Sequence, residues 1–95
     1  MTANGDLDGD APPPASPFAA PVKRSITIAG HQTAISLEPI FWDALRVRAA
    51  SEGLPINALI ARIDVARLAV FDPPNLASAV RCWLFSLKED KNSSQ

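Results

Sequence analysis

The stretch RSITIAGHQTAISL at residues 24–37 constrains the fold more than any other part of the chain. Apolar and polar residues alternate along it, which is the pattern of a strand with one buried face. The parity changes in the middle, because Ile26 and Ile28 are even-numbered whereas Ile35 and Leu37 are odd-numbered. A single straight strand would place these two pairs on opposite faces of a sheet. The chain is therefore expected to reverse or to bulge between them.

A hairpin with a two-residue turn at Gly30-His31 explains the change of parity, because it brings the large aliphatic side chains to one face. Glycine at the first turn position suits a type II′ turn. A bulge at Ala29-Gly30 would produce the same change of face, but the turn chemistry favours the hairpin. The cross-strand pairs that the hairpin predicts are Ile28 with Thr33, Ile26 with Ile35, and Arg24 with Leu37.

Three helical segments follow the strand signal. Pro39 and Pro55 suit helix starts, Gly53 suits the end of a helix, and Asn75 is placed to cap a further one. The predicted fold is therefore α+β and mostly helical, with an N-terminal β-hairpin or ribbon followed by three helices. The predicted helices cover residues 39–51, 55 to about 70, and 76 to about 87.

The first fifth of the chain differs from the rest in composition, because it holds three aspartates, five prolines and no basic residue. So little apolar surface predicts a disordered, acidic, Pro-rich tail. The predicted division is a tail at residues 1–22, a folded domain that includes the third helix at 23–88, and a frayed end at 89–95.

A domain of this size has a marginal core. The chain has one cysteine and one histidine, Cys82 and His31, so neither a disulfide nor a structural metal is expected to stabilise it. Pairing with a second copy is the remaining way to stabilise the domain, and we expect an intertwined homodimer.

No catalytic constellation is found, so neither an enzyme nor a cofactor is expected. No segment resembles a membrane span or a signal peptide, so a cytoplasmic protein without a membrane partner is expected.

The order of strand, proline-started helix, glycine break and second helix resembles the ribbon-helix-helix superfamily of Arc, MetJ and CopG type repressors. The resemblance covers about residues 23–87 and is closest to a bacterial subfamily that is frequent in alphaproteobacteria. The segments that carry it are KRSITIAGH at 23–31, TAISLEPIFWDALR at 33–46, Gly53-Leu54, Asn57-Ala58-Leu59-Ile60, and NLASAVR at 75–81.

The resemblance implies a homodimer in which the strand at 32–37 pairs antiparallel with its copy and enters the major groove of DNA. Outward side chains of that strand would then contact bases. The start of the second helix would hold a phosphate on free backbone N–H groups, assisted by Asn57. The base contacts that the resemblance implies are Gln32, Ala34 and Ser36.

Lys23 and Arg24 enter the sheet region as a basic pair. They are candidates for DNA phosphate contacts, and a solvated surface pair is an equally good interpretation. All nine basic residues follow the tail, against seven acidic ones, which leaves only +2 on the domain. A domain that binds nucleic acid strongly usually carries a larger positive charge.

The leading hypothesis is a sequence-specific DNA-binding transcription regulator. The alternative is a protein–protein interaction dimer, antitoxin-like or an adaptor, that keeps the fold without strong DNA binding. In this alternative, a protein partner would bind to the acidic tail or to the sheet face. Low net charge supports this alternative, and so does sheet width, because four strands span nearly 20 Å against a groove of about 12 Å.

Overall fold

The computed structural model describes residues 18–93, and residues 89–93 by their backbone alone. It shows a two-stranded antiparallel hairpin followed by three helices, which confirms the predicted α+β, mostly helical fold. Most of the predicted tail, residues 1–17, lies outside the described part, and so do residues 94–95. The elements are β1 (Val22–Ile28), β2 (His31–Leu37), α1 (Pro39–Ser51), α2 (Ile56–Leu68) and α3 (Leu76–Ser93).

The hairpin is present, but its predicted turn and register are wrong. The two turn residues are Ala29 and Gly30, with φ angles of 52° and 81°. Two successive positive φ angles define a type I′ turn rather than the type II′ turn that was expected at Gly30-His31. The observed cross-strand pairs are Ile28 with His31, Ile26 with Thr33, Arg24 with Ile35, and Val22 with Leu37.

The observed register differs from the predicted one by two residues, so every side chain keeps its predicted face. The left-handed conformation of Ala29 costs on the order of 1 kcal/mol. At the other end of the hairpin, Val22 is paired with Leu37, and its carbonyl accepts a hydrogen bond from Trp42 Nε1 at 2.9 Å. That hydrogen bond contributes about 1 kcal/mol, so it and the additional strand pair offset the cost at the turn.

The inner face of the hairpin and one face of each helix form the core. Ile26, Ile28, Ile35 and Leu37 are all buried, as the parity argument requires. No charged or polar residue is buried among the residues that the structure describes. The helical residues that complete the core are Trp42, Leu45 and Ala49 of α1, Leu59, Ile60 and Ile63 of α2, and Leu76, Val80 and Leu84 of α3.

The helix boundaries follow local signals. Gly53, with φ of 68°, ends α1, because a residue beyond a helix C-terminus often adopts this conformation. Asn75 caps α3 as predicted, since its Oδ1 accepts a hydrogen bond from the Ser78 N–H at 2.8 Å. The prediction for the end of α3 was too short, because the helix continues to Ser93. No helix in the described part is both long enough and apolar enough to cross a bilayer.

Candidate functional site

The outer face of the hairpin is polar and lies on the side of the sheet opposite the core. Its side chains form three cross-strand pairs, and all are exposed except the half-buried Ser36. None of their polar groups makes a hydrogen bond or an ion pair within the described part of the chain. Their hydrogen-bonding capacity is therefore available to a ligand. The pairs are Lys23 with Ser36, Ser25 with Ala34, and Thr27 with Gln32.

One edge of β2 is open. In a two-residue hairpin the residues that flank the turn, Ile28 and His31, exchange backbone hydrogen bonds, and such pairs alternate along an antiparallel ladder. The backbone N–H and C=O groups of Gln32, Ala34 and Ser36 therefore point away from β1. An unpaired strand edge is a template for pairing with another strand.

The structure brings together the three predicted base contacts, because Gln32, Ala34 and Ser36 lie side by side on the outer face. It separates the two basic residues that were predicted to act together. Lys23 lies on the outer face, opposite Ser36. Arg24 lies on the inner face, where its guanidinium carbon is 5.3 Å from the centroid of the Trp42 ring. The Arg24–Trp42 contact has the geometry of a cation–π interaction.

Asn57 is exposed in the first turn of α2, apart from the outer face of the hairpin. Pro55 is the N-cap of this helix, and no side chain caps it. The N–H groups of Ala58 and Leu59 both bond to the Pro55 carbonyl. The N–H groups of Ile56 and Asn57 have no partner among the described residues. The first helical turn can therefore bind an anion, although Pro55 itself has no N–H to contribute.

Sequence reasoning missed a link between α3 and the end of β2. Arg81 donates to Glu38 Oε1 from Nε at 3.0 Å and from Nη2 at 2.9 Å, and Nη2 lies 3.5 Å from the Ser36 carbonyl oxygen. The same guanidinium lies 5.7 Å from the Phe41 ring centroid. The pairing joins residues 43 positions apart in sequence, so no local pattern identifies it.

The Glu38 carboxylate is stabilised in its charged form. The backbone N–H of Glu38 and then the Arg81 guanidinium lower the pKa of this carboxyl below its ordinary value. Because Glu38 joins β2 to α1, the ion pair links this junction to α3.

The arginines of the helices are paired with nearby carboxylates. This pairing reduces their capacity to attract a polyanion from a distance. On the outer face Lys23 is the cationic side chain, so the local positive charge is small. The pairs are Arg46 with Asp43, Arg48 and Arg62 with Glu52, Arg67 with Asp64, and Arg81 with Glu38.

Helices α1 and α2 each carry apolar residues away from the core. Given 3.6 residues per turn, Ile40, Ala44 and Val47 of α1 lie opposite its buried face. They line an open groove of about 1210 Å³ that α3 closes on its other side with Leu84 and Phe85. On and beyond α2, the exposed apolar side chains are Val65, Leu68, Val70 and Phe71.

The described part contains no group of three or more potential metal ligands. The family model for the ribbon-helix-helix domain matches residues 21–87, which include the hairpin, α1, α2 and most of α3. Neither a curated protein nor a solved structure matches the chain.

Proposed function

The chain belongs to the ribbon-helix-helix domain family, and on that premise we propose that it is a homodimeric, sequence-specific DNA-binding transcription regulator. Domains of this family are typically non-enzymatic, DNA-binding regulators. The observation that carries the proposal is the outer face of the hairpin, whose side chains are mostly exposed and polar, have no partner within the described part of the chain, and lie opposite the face that packs on the core. We also propose that the chain is a bacterial, cytoplasmic member of the subfamily that it resembles.

The chemistry of β2 suits base edges. The Gln32 amide offers a donor and an acceptor, which match N6 and N7 of adenine. The Ser36 hydroxyl serves either kind of partner, and the Ala34 methyl group suits the methyl group of thymine. All three side chains project from one strand face at every second position, so neighbouring ones lie about 6.8 Å apart, which is the rise of about two base pairs.

The open edge of β2 is the proposed dimer contact. Antiparallel pairing of two β2 strands would satisfy the backbone groups of Gln32 and Ala34 and the N–H of Ser36, whose carbonyl already accepts from Arg81. It would also place six base-contacting side chains in one ribbon. Exposed apolar residues support association, because Val65 and Phe71 are 71% and 98% exposed in the single chain. Such residues on a small domain indicate a surface that is covered in the assembled protein.

Phosphate contacts would fix the position of the ribbon along the DNA groove. The first turn of α2 presents the N–H groups of Ile56 and Asn57 together with the positive end of the helix dipole. Lys23 would reach a phosphate from the outer face. Arg24 would do so from the inner side of the same strand, at the expense of its contact with Trp42.

Titration of DNA affinity with salt tests the proposal. Phosphate contacts predict that log K falls linearly with log salt concentration, with a slope of about −0.9 for each phosphate neutralised. Gln32→Ala and Ser36→Ala should reduce discrimination between the preferred duplex and a scrambled one, whereas Asn57→Ala should weaken both equally. A dimer that binds every duplex weakly, with no sequence preference, would favour the alternative of a protein-binding dimer.

A further inference from the structure

The hairpin gives this domain a strand, β1, that lies beside the proposed base-reading strand. The outer side chains of β1 have no role in the core or in the proposed base contacts. We propose, on the basis of the proposed DNA-binding function, that β1 is a phosphate-binding strand. Its Lys23, Ser25 and Thr27 would contact the DNA backbone at the walls of the major groove. The strand would thus position the ribbon without reading sequence.

The width of the sheet leads to this assignment. Pairing of two β2 strands gives the order β1-β2-β2-β1, with neighbouring strands about 4.8 Å apart. Each β2 backbone would lie about 2.4 Å from the two-fold axis and each β1 backbone about 7 Å from it. The major groove is about 12 Å wide, so its walls lie about 6 Å from its centre. Both β2 strands therefore fit between the walls of the groove, and each β1 strand lies close to one of the walls.

The side chains of the two strands differ in a way that suits these positions. The outer face of β1 carries an ammonium group and two short hydroxyl groups, all of which commonly donate to phosphate oxygens. The outer face of β2 carries the amide of Gln32, which can present a donor and an acceptor to one base. Each β1 residue lies directly opposite a β2 residue, so all six groups face the same side.

The hydroxyl groups of Ser25 and Thr27 are free to bind. Both residues are exposed, and neither makes a side-chain hydrogen bond within the part of the chain that the structure describes. Core packing does not require either side chain, because the buried residues of β1 are Ile26 and Ile28. Substitutions at Ser25 and Thr27 should therefore leave the fold intact, which makes their effect on DNA binding interpretable.

The test uses the full chain with two duplexes, the preferred site recovered from genomic DNA fragments and a scrambled duplex of equal length. The double variant Ser25→Ala/Thr27→Val removes both hydroxyl groups at nearly constant shape. We expect it to weaken binding to both duplexes by the same factor, at least about 30-fold, because the dimer loses four hydroxyl–phosphate hydrogen bonds, two in each protomer. The ratio of the two affinities and the salt slope should stay unchanged.

Lys23→Met should also weaken both duplexes alike, and it should reduce the salt slope by about 0.9 for each lysine, or about 1.8 for a dimer. Ser86→Ala is the matched control, because this exposed hydroxyl lies on α3 and donates to the Trp83 carbonyl at 2.8 Å. It should leave both affinities unchanged. The thermal midpoint of each variant establishes that the fold is retained.

Two results would overturn the proposal. A fall in the affinity ratio for Ser25→Ala/Thr27→Val would mean that β1 reads bases, and unchanged affinity for both duplexes would place β1 outside the interface. Failure of the DNA-binding function itself is distinguishable from these results, because the unsubstituted protein would then show no salt-dependent affinity for either duplex.

Discussion

Replacement of Ala29 by asparagine should stabilise the protein. Ala29 occupies the first position of the type I′ turn with φ of 52°, where a residue with a Cβ atom is disfavoured by about 1–2 kcal/mol. Asparagine is the preferred residue at this position, because its short polar side chain tolerates the left-handed conformation. We expect Ala29→Asn to raise the free energy of unfolding by about 1 kcal/mol, which for a domain of this size raises the thermal midpoint by about 4–8 °C.

Thermal unfolding followed by far-UV circular dichroism measures the effect, at one fixed protein concentration because association changes the midpoint. Ala34→Asn is the matched control, since Ala34 is an exposed alanine in extended conformation on the same hairpin. Asparagine is depleted in strands, so this change should lower the midpoint slightly. The experiment separates the two registers, because a turn at Gly30-His31 would leave Ala29 extended. An unchanged or lower midpoint for Ala29→Asn would refute the observed turn.

Further predictions concern the core, a helix cap and the ion pair at the end of β2. Leu45→Ala removes a fully buried side chain and should lower the free energy of unfolding in urea by about 2–5 kcal/mol. Asn75→Ala removes the cap of α3 and should cost about 0.5–2 kcal/mol by the same measurement. The pKa of Glu38 is lowered in the folded state, so its contribution to stability is present above the ordinary carboxyl value of 4.5 and is lost as the pH falls through the lower, folded-state pKa. The thermal midpoint of Glu38→Gln should therefore fall less steeply with acidification below pH 4.5 than that of the unsubstituted protein, and equal slopes would contradict this assignment.

The parity change in residues 24–37 was sufficient to predict the hairpin and its buried face, because only two chain geometries bring four aliphatic side chains together. It was insufficient to predict the turn, since a shift of two residues leaves every face unchanged. The preference for the observed register comes from Val22 and Trp42, which are 20 residues apart in sequence and meet only in the folded chain.

The orientation of α1 was also only partly predictable. Residues 39–51 are apolar on two opposite sides, so periodicity did not identify which side would be buried. The structure buries the side that carries Trp42, Leu45 and Ala49. In a helix with two apolar faces, tertiary contacts decide the orientation.

For the candidate site, strand alternation predicted that Gln32, Ala34 and Ser36 share a face, and the structure shows that they do. The same alternation separates Lys23 from Arg24, which sequence analysis treated as a pair. The link from Arg81 to Glu38 depends on how α3 packs against β2, and no local sequence signal encodes that packing.

The proposal on which the others depend is that the outer face of the hairpin reads DNA. Its most direct test is selection of fragments from the source genome by the purified, full-length protein near 150 mM salt, followed by footprinting of the recovered sites. If this face reads DNA, one palindromic or tandem site should be recovered, and its enrichment should be lost with Gln32→Ala/Ser36→Ala. Recovery of no site by a folded dimer, or equal enrichment by that variant, would contradict it.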